Sequence, residues 1–298
     1  MILKGNFIRR HIQMAIDISQ RIRKMYPSLS KSHKKIANAV LNEYETVSFM
    51  TAARLGNRVG VSESTVVRFA SVLGYEGFSE FQRAVEELAK TKLTPNQRID
   101  MTKKRIGQGD ILETVMHSDM NKIRYTLDKL DREAFYHSVD AILNAKTIYV
   151  IGARSSEPIA KILNYNLSLI FDNVKFINAS STAEVFEQMF SIDENDVLIA
   201  FSFPRYSSRV VNSVKFANSK GAKTVTFTDS HISPLSKYSD CLLLAQSDMA
   251  SFMDSLVAPI SIINALIVEI TSRREKEIRK RFDTLEDIWS EYDIYAKI

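Results

Sequence analysis

The chain of 298 residues is 45% hydrophobic and 25% charged, which is typical of a folded globular protein with room for about two domains. A single cysteine, Cys241, and five scattered histidines exclude a disulfide scaffold and a zinc finger, so no metal or cofactor is expected. The apolar stretch 256–270 is shorter than the roughly 20 residues of a membrane span. Arg9 and Arg10 stand where a signal peptide has its apolar core, so we expect a cytoplasmic protein.

The positive charge is concentrated in the first third of the chain. Residues 1–110 carry 19 Lys and Arg against 10 Asp and Glu, whereas residues 111–298 carry 21 against 25. This asymmetry favours a polyanionic partner for the first segment, although a well-solvated surface has the same composition.

Apolar residues recur at helical spacing from Ile36 to Ala89, which predicts an all-helical region. Four helices are predicted: residues 34–43, a second from near Thr51, a third after Ser62, and a fourth over 79–89 with Ser79 as its N-cap. The basic stretch 92–110 is typical of a linker or a surface helix. A long helical stretch, 111–143, is expected to break near Asp131.

Short β-rich runs then alternate with segments of helical length. The runs are residues 147–152, 174–177, 196–202, 223–228 and 240–245. This alternation predicts a five-stranded parallel sheet with helices on both faces. A final helical stretch is predicted over 251–281.

Residues 51–74 have the pattern of a helix-turn-helix. Gly60 provides a permissive backbone for the turn, and Ser62 provides an oxygen that caps the second helix. Within that helix Val66, Phe69 and Leu73 share one face and are predicted to be buried.

The other face of this helix carries the candidate DNA-binding residues, which are Ser62, Glu63, Ser64, Thr65 and Arg68. The first turn of a recognition helix reaches base edges and phosphates in the major groove. An ordinary helical hairpin with solvated polar residues remains the alternative.

The run GVSESTVVRFASVLGYEGFSEFQ, residues 60–82, resembles the N-terminal domain of the RpiR (MurR/RpiR) family of bacterial transcriptional regulators. That resemblance implies binding to a double-stranded DNA operator. Gly56 departs from the alanine that usually follows Leu55, which suggests either a close helix contact or a weaker first helix. Residues 1–17 extend beyond the usual start of the family.

Strand-to-helix junctions are expected to gather at the carboxyl edge of the sheet, where open parallel sheets bind ligands. The free amides of a helix N-terminus favour an anion there. The candidate effector-binding residues are Gly152, Arg154, Ser155, Ser156, Ser202, Arg205, Ser207 and Ser208. A third, weaker junction lies at 228–235. Turn chemistry and N-capping also explain serines at such positions.

Residues 134–270 are similar to the SIS, or sugar isomerase, domain that follows the helix-turn-helix in RpiR regulators and generally binds phosphosugars. Arg154 replaces a glycine of the family's first loop. In the second loop Pro204 and Arg205 replace a serine and a glycine. The resemblance implies a phosphosugar or another anionic sugar derivative as the ligand. Each arginine can bind a phosphate or a carboxylate of such a ligand.

The predicted organisation is an all-α helix-turn-helix domain followed by an α/β SIS-like domain. The segments are an N-terminal extension (1–17), the helix-turn-helix domain (18–94), a linker and helix (95–130), the SIS-like domain (131–275) and a helical tail (276–298). Paired operator half-sites require a homodimer or homotetramer. Residues 256–268 and 283–298 are candidate subunit contacts, unless they pack on their own sheet.

The expected function is a DNA-binding regulator that senses an anionic metabolite, and not an enzyme. The alternative is an aldose–ketose sugar-phosphate isomerase with an appended helical domain. Isomerisation requires a base near the substrate. The candidates Glu157, Glu184, Glu187 and His231 form no recognisable motif.

Overall fold

A computed structural model describes residues 18–296 apart from positions 49, 108, 179 and 180. The predicted extension 1–17 lies outside these residues. The described chain forms two compact units. The first contains the residues up to 108 with two short segments, 231–233 and 248–253, and the second contains the rest. No helix in the described ranges is long and apolar enough to cross a membrane.

The first unit is built from helices up to residue 108. They are α1 (Ile18–Met25), α2 (Lys31–Asn42), α3 (Tyr44–Val47), α4 (Ala52–Val59), α5 (Glu63–Val72), α6 (Phe78–Lys92) and α7 (Pro95–Ile106). The predicted helical block is confirmed, and the basic stretch after Lys92 contains a helix. Ser79 is not an N-cap: α6 begins at Phe78, after Gly77. The helix begins earlier because Phe78 packs against the core beside Phe81.

The core of this unit is centred on α5. Val66, Phe69 and Leu73 are buried as predicted, together with Leu55 of α4. Phe69 meets Phe81 of α6 edge-on, with ring centroids 5.7 Å apart. Burial of each such side chain contributes about 1.5–3 kcal/mol, so this packing fixes the face that α5 turns to solvent.

The second unit is a parallel sheet with helices on both faces. Its strands are β1 (Ile148–Gly152), β2 (Val174–Phe176), β3 (Val197–Phe201), β4 (Lys223–Thr228) and β5 (Cys241–Leu244), in the order β2-β1-β3-β4-β5. Its helices are α8 (Ile111–Lys129), α9 (Arg132–Asn144), α10 (Glu157–Ile170), α11 (Thr182–Met189), α12 (Ser208–Ser219), α13 (Val257–Arg273) and α14 (Glu275–Glu291). The five predicted parallel strands are confirmed.

Two helical stretches are interrupted. The break expected near Asp131 is present, because Asp131 caps α9 by accepting a 3.0 Å hydrogen bond from the amide of Ala134. The helical stretch predicted over 251–281 begins later than predicted, at Val257 (α13), and is divided at Arg274, after which α14 follows. The Arg274 guanidinium donates to the carbonyl of Leu143, which holds this break against α9.

Alternating strand residues divide the core into two layers. Val150 and its neighbours pack under α9, α10 and α13, whereas Ile151 packs under α11 and α12. The buried side of α13, which includes Ile262, Ile263 and Leu266, belongs to the first layer. The segment 256–268 thus packs on its own sheet, and its role as a subunit contact stays a prediction.

Candidate DNA-binding and effector sites

The turn between α4 and α5 depends on two glycines. Gly60 ends α4 with φ +69°, a left-handed conformation that side chains other than glycine rarely adopt. A Cβ on Gly56 would lie 2.8 Å from the carbonyl oxygen of Val61, so no side chain fits there. Of the two alternatives for Gly56, the structure supports the close contact, which is made with the turn and the start of α5.

Hydroxyl groups organise the first turn of α5. The Oγ of Ser62 accepts a 3.3 Å hydrogen bond from the amide of Thr65 and lies 2.8 Å from the Thr65 Oγ1. It also lies 3.0 Å from the Oγ of Ser64. Among the predicted DNA-binding residues, Ser62 and Thr65 thus form the cap, and Glu63 and Ser64 are exposed at the helix start.

Arg68 lies one turn further along the exposed face of α5. Its Nε donates a 3.2 Å hydrogen bond to the carbonyl of Ser64, which draws the side chain towards the helix N-terminus. The neighbouring Val67 is an exposed apolar side chain on the same solvent-facing side. An apolar group there suits contact with a thymine methyl group.

Lys35 of α2 adds positive charge beside the turn. Its Nζ lies 3.8 Å from the position that a Cβ on Gly60 would occupy. Neither Lys35 nor Val67 is among the DNA-binding residues predicted from the sequence. Lys35 is 25 positions from Gly60 and reaches it only through tertiary packing, whereas the exposure of Val67 follows from the burial of Val66 and Phe69.

The candidate effector site lies at the carboxyl edge of the sheet. Gly152 at the end of β1 is in register with Phe201 at the end of β3, so the two following loops leave the sheet side by side. The strand order reverses between β1 and β3, and their helices α10 and α12 lie in opposite layers. Open α/β sheets bind ligands at this kind of switch point.

The first loop, residues 153–156, is set by a close approach of α10 to β1. A Cβ on Gly152 would lie 2.5 Å from the carbonyl oxygen of Ser156 and 2.8 Å from the Cβ of Ala160. Gly152 is thus required for packing beneath the loop. Ser156 is buried at the start of α10, whereas Arg154 and Ser155 are exposed.

The second loop, residues 202–207, is closed by an internal hydrogen bond. The amide of Ser207 donates to the Oγ of the buried Ser202 over 3.1 Å. The hydroxyl of Tyr206 donates a 2.9 Å hydrogen bond to Asp229, which ties this loop to the one after β4. Ser208, the first residue of α12, is exposed. Ser202 therefore supports the loop, and Ser208 lies at its open side.

Arg154 and Arg205 both adopt left-handed backbone conformations, with φ +56° and +62°. Both side chains are exposed, one in each loop of the switch point. A left-handed conformation costs a residue other than glycine about 1–2 kcal/mol. Such strain is typical of functional sites, and here it coincides with guanidinium groups that can bind an anion.

Of the candidate acid–base residues, Glu157 begins α10, whereas Glu184 and Glu187 lie on α11 in the opposite layer of the core. Glu157 at the start of α10 forms a 2.7 Å ion pair with Lys161. Glu184 lies in the first turn of α11, where its amide donates to the Oγ of Ser181. Among the described residues, no group of three His, Cys, Asp or Glu side chains could hold a metal ion.

Two family models match the chain. The model of the rpiR-family helix-turn-helix domain matches residues 16–92, and the SIS domain model matches residues 141–269. An uncharacterized HTH-type transcriptional regulator of Haemophilus influenzae is 29% identical over 233 residues, which cover 76% of this chain and 79% of that protein.

Two solved structures share the fold. The Vibrio vulnificus NanR protein complexed with ManNAc-6P is 22% identical, with a TM-score of 0.60 over 94% of this chain and 99% of that chain. The sugar isomerase domain of an RpiR transcription factor from Sphaerobacter thermophilus is 24% identical, with a TM-score of 0.55 over 58% of this chain and 97% of that chain. With a helix-turn-helix domain of the rpiR family followed by a SIS domain, the protein belongs to the RpiR family.

Proposed function

We propose that this protein is a transcriptional regulator that binds a double-stranded DNA operator through α5 and senses an anionic carbohydrate-derived metabolite with its SIS domain. The observation that carries the DNA-binding role is the capped N-terminus of α5. There Glu63, Ser64 and Arg68 are exposed, while Val66 and Phe69 hold the opposite face in the core. This is the arrangement of a recognition helix whose first turns enter the major groove.

The charge of the first unit fits the same partner. Arg68 and Lys35 lie on and beside the turn, and the first 110 residues carry the positive excess of the chain. Arginine can bind a phosphate or the O6 and N7 atoms of a guanine, and Lys35 adds a contact with the phosphate backbone.

The effector role is supported by the switch point where the loops that follow β1 and β3 leave the sheet side by side. The exposed residues Arg154, Ser155, Arg205 and Ser208 offer guanidinium and hydroxyl donors to an anion at the N-termini of α10 and α12. The NanR structure, which shares the fold, is complexed with ManNAc-6P. We assign a phosphosugar or a related sugar anion as the ligand class.

The regulator acts as a symmetric homo-oligomer. Two half-sites one helical turn apart, about 34 Å, demand two recognition helices related by a two-fold axis. Ligand binding in the SIS domain then changes the spacing or the mobility of the paired helices, and with it the affinity for the operator. A regulatory role without catalysis also fits the H. influenzae relative, which is named a transcriptional regulator.

Fluorescence anisotropy of labelled duplex DNA tests this proposal. The protein binds duplexes with an affinity that falls steeply between about 50 and 200 mM salt, because several phosphate contacts release counterions. A matching phosphosugar changes that affinity. A protein that binds no duplex at low salt but interconverts an aldose phosphate and a ketose phosphate overturns the proposal in favour of the isomerase.

A further inference from the structure

We infer that α8 is a self-association face, on which a second copy of this chain packs antiparallel about a two-fold axis near Met120. Five large apolar side chains of α8 are between 39 and 73% exposed: Leu112, Met116, Met120, Ile123 and Leu127. At 100° per residue they fall within an arc of about 80° and extend over roughly 22 Å of helix. A contiguous apolar stripe of this kind on a folded domain marks an interaction surface.

The other side of α8 is held by its own unit. The buried Nζ of Lys122 lies 3.1 Å from Asp119, and the hydroxyl of Ser255 donates to the same carboxylate over 2.8 Å. The Oγ1 of Thr126 accepts a 2.9 Å hydrogen bond from the amide of Gln246. These contacts fix the rotation of the helix about its axis, so the stripe keeps its outward direction.

Charge along α8 selects a second, antiparallel copy as the occupant. Asp119 and Lys122 pair on the inner side of the helix, so the exposed charges are Asp110 and Glu113 in the first half and Arg124, Asp128 and Lys129 in the second. A parallel pair of copies would bring like charges together. An antiparallel pair places the acidic half of one helix against the basic half of the other, which favours this orientation.

The spacing of the stripe is self-complementary in the same orientation. When the two-fold axis passes between positions 119 and 120, Met116 falls opposite Ile123 and Leu112 opposite Leu127. The two Met120 residues then lie about 1.5 Å apart along the helix axis, close enough for contact. An isologous two-fold interface requires this reciprocity. The stripe thus pairs with itself without an unmatched apolar side chain at either end.

This inference rests on the homo-oligomer of the proposed function and names its interface. Sedimentation equilibrium of the full chain is the first test. Met116→Glu places a charge inside the apolar seam, so we expect the assembly to fall to half its mass, with a dissociation constant raised by more than about 100-fold. Tyr165→Glu is the matched control, because Tyr165 is an exposed apolar side chain of α10. It leaves the mass unchanged.

Cysteine cross-linking then tests the orientation. The native Cys241 is buried, and burial raises the pKa of its thiol, so it contributes little background. In the antiparallel pair, Met120→Cys forms a disulfide with the same position of the second copy under mild oxidation. Leu112→Cys alone does not, because the two positions 112 lie at opposite ends of the interface. The double variant of Leu112→Cys and Leu127→Cys does cross-link.

Each other outcome overturns the inference. Equal cross-linking of Leu112→Cys and Met120→Cys means a parallel pair, and an oligomer unaffected by Met116→Glu means a different face. If the wild-type chain sediments as a monomer, the interface does not form. Binding of the wild type to duplex DNA is measured separately, so loss of this interface and loss of the proposed function are distinguished.

Discussion

The amide of Ser207 donates a 3.1 Å hydrogen bond to the Oγ of Ser202, five positions earlier in the loop that follows β3. This bond holds the N-terminus of α12 against the end of the strand. Ser202→Ala removes the acceptor, and we expect the free energy of unfolding to fall by about 1 kcal/mol. Effector affinity falls with it, because the loop loses its fixed shape.

Ser219→Ala is the control for that change. Its hydroxyl donates to the carbonyl of Phe216 at the opposite end of α12. Chemical denaturation and ligand titration of both variants provide the measurements. A Ser202→Ala variant with the effector affinity of the Ser219→Ala variant would show that the loop geometry does not matter for binding.

Glycine and alanine substitutions at Arg154 and Arg205 distinguish the cost of the left-handed backbone from the contribution of the charged side chain. Arg205→Gly relieves the left-handed conformation, whereas Arg205→Ala keeps it, so the glycine variant should be more stable than the alanine variant by about 1 kcal/mol. Both variants lose a charged donor, and we expect both to bind an anionic effector about tenfold more weakly. The same pair of changes at Arg154 gives the same result.

Thermal unfolding with and without the effector measures both quantities. If the glycine variants bind the effector as tightly as the wild type, the guanidinium groups do not contact it. If the alanine variants are the more stable ones, the backbone conformation at these positions carries no strain.

For Gly56→Ala we predict a loss of stability, whereas helix propensity alone predicts a gain. Alanine is about 1 kcal/mol more favourable than glycine within a helix. The Cβ of Gly56→Ala would instead lie 2.8 Å from the Val61 carbonyl, and we expect a loss of about 1–3 kcal/mol of stability. Gly77→Ala is the control, because a Cβ on Gly77 meets no atom within 4 Å. Increased stability of Gly56→Ala in urea denaturation would contradict the close contact of the turn.

Arg68 tests the orientation of α5 on DNA. Arg68→Ala should weaken duplex binding and lower the slope of log affinity against log salt by about one if Arg68 contacts a phosphate, or relax the preference for one base pair if it contacts a base edge. Arg279→Ala removes the same charge from α14, where Arg279 pairs with Glu275. Equal effects of the two variants in anisotropy titrations would mean that net charge alone, and not the face of α5, governs binding.

Much of the fold follows from local pattern. The strands β1 and β3 are continuous apolar runs because they are buried on both faces of the sheet. Gly60 and Ser62 specify the turn into α5 through backbone freedom and capping. Helix ends were harder to predict. The packing of Phe78 decides where α6 begins, and the bond from Arg274 to the carbonyl of Leu143 divides the final helical stretch.

The candidate sites, like the fold, could be predicted from sequence only in part. Sequence spacing predicted that the loops after β1 and β3 leave the same edge of the sheet, because all strands of a parallel sheet end at one edge. The left-handed conformations of Arg154 and Arg205 could be anticipated only from glycine positions in related loops, since arginine itself has no preference for positive φ. Lys35 reaches the turn through the packing of α2, which no local pattern records.

The most direct test of the central claim is thermal unfolding of the wild-type chain with matched pairs of sugars and sugar phosphates, including amino sugars and sugar acids. A ligand at about 100 times its dissociation constant adds roughly 2.7 kcal/mol to stability. The account predicts stabilisation by a phosphorylated or carboxylated sugar and none by its uncharged partner. Equal stabilisation by both members of a pair, or by no member of any pair, would contradict an anion site formed by Arg154 and Arg205.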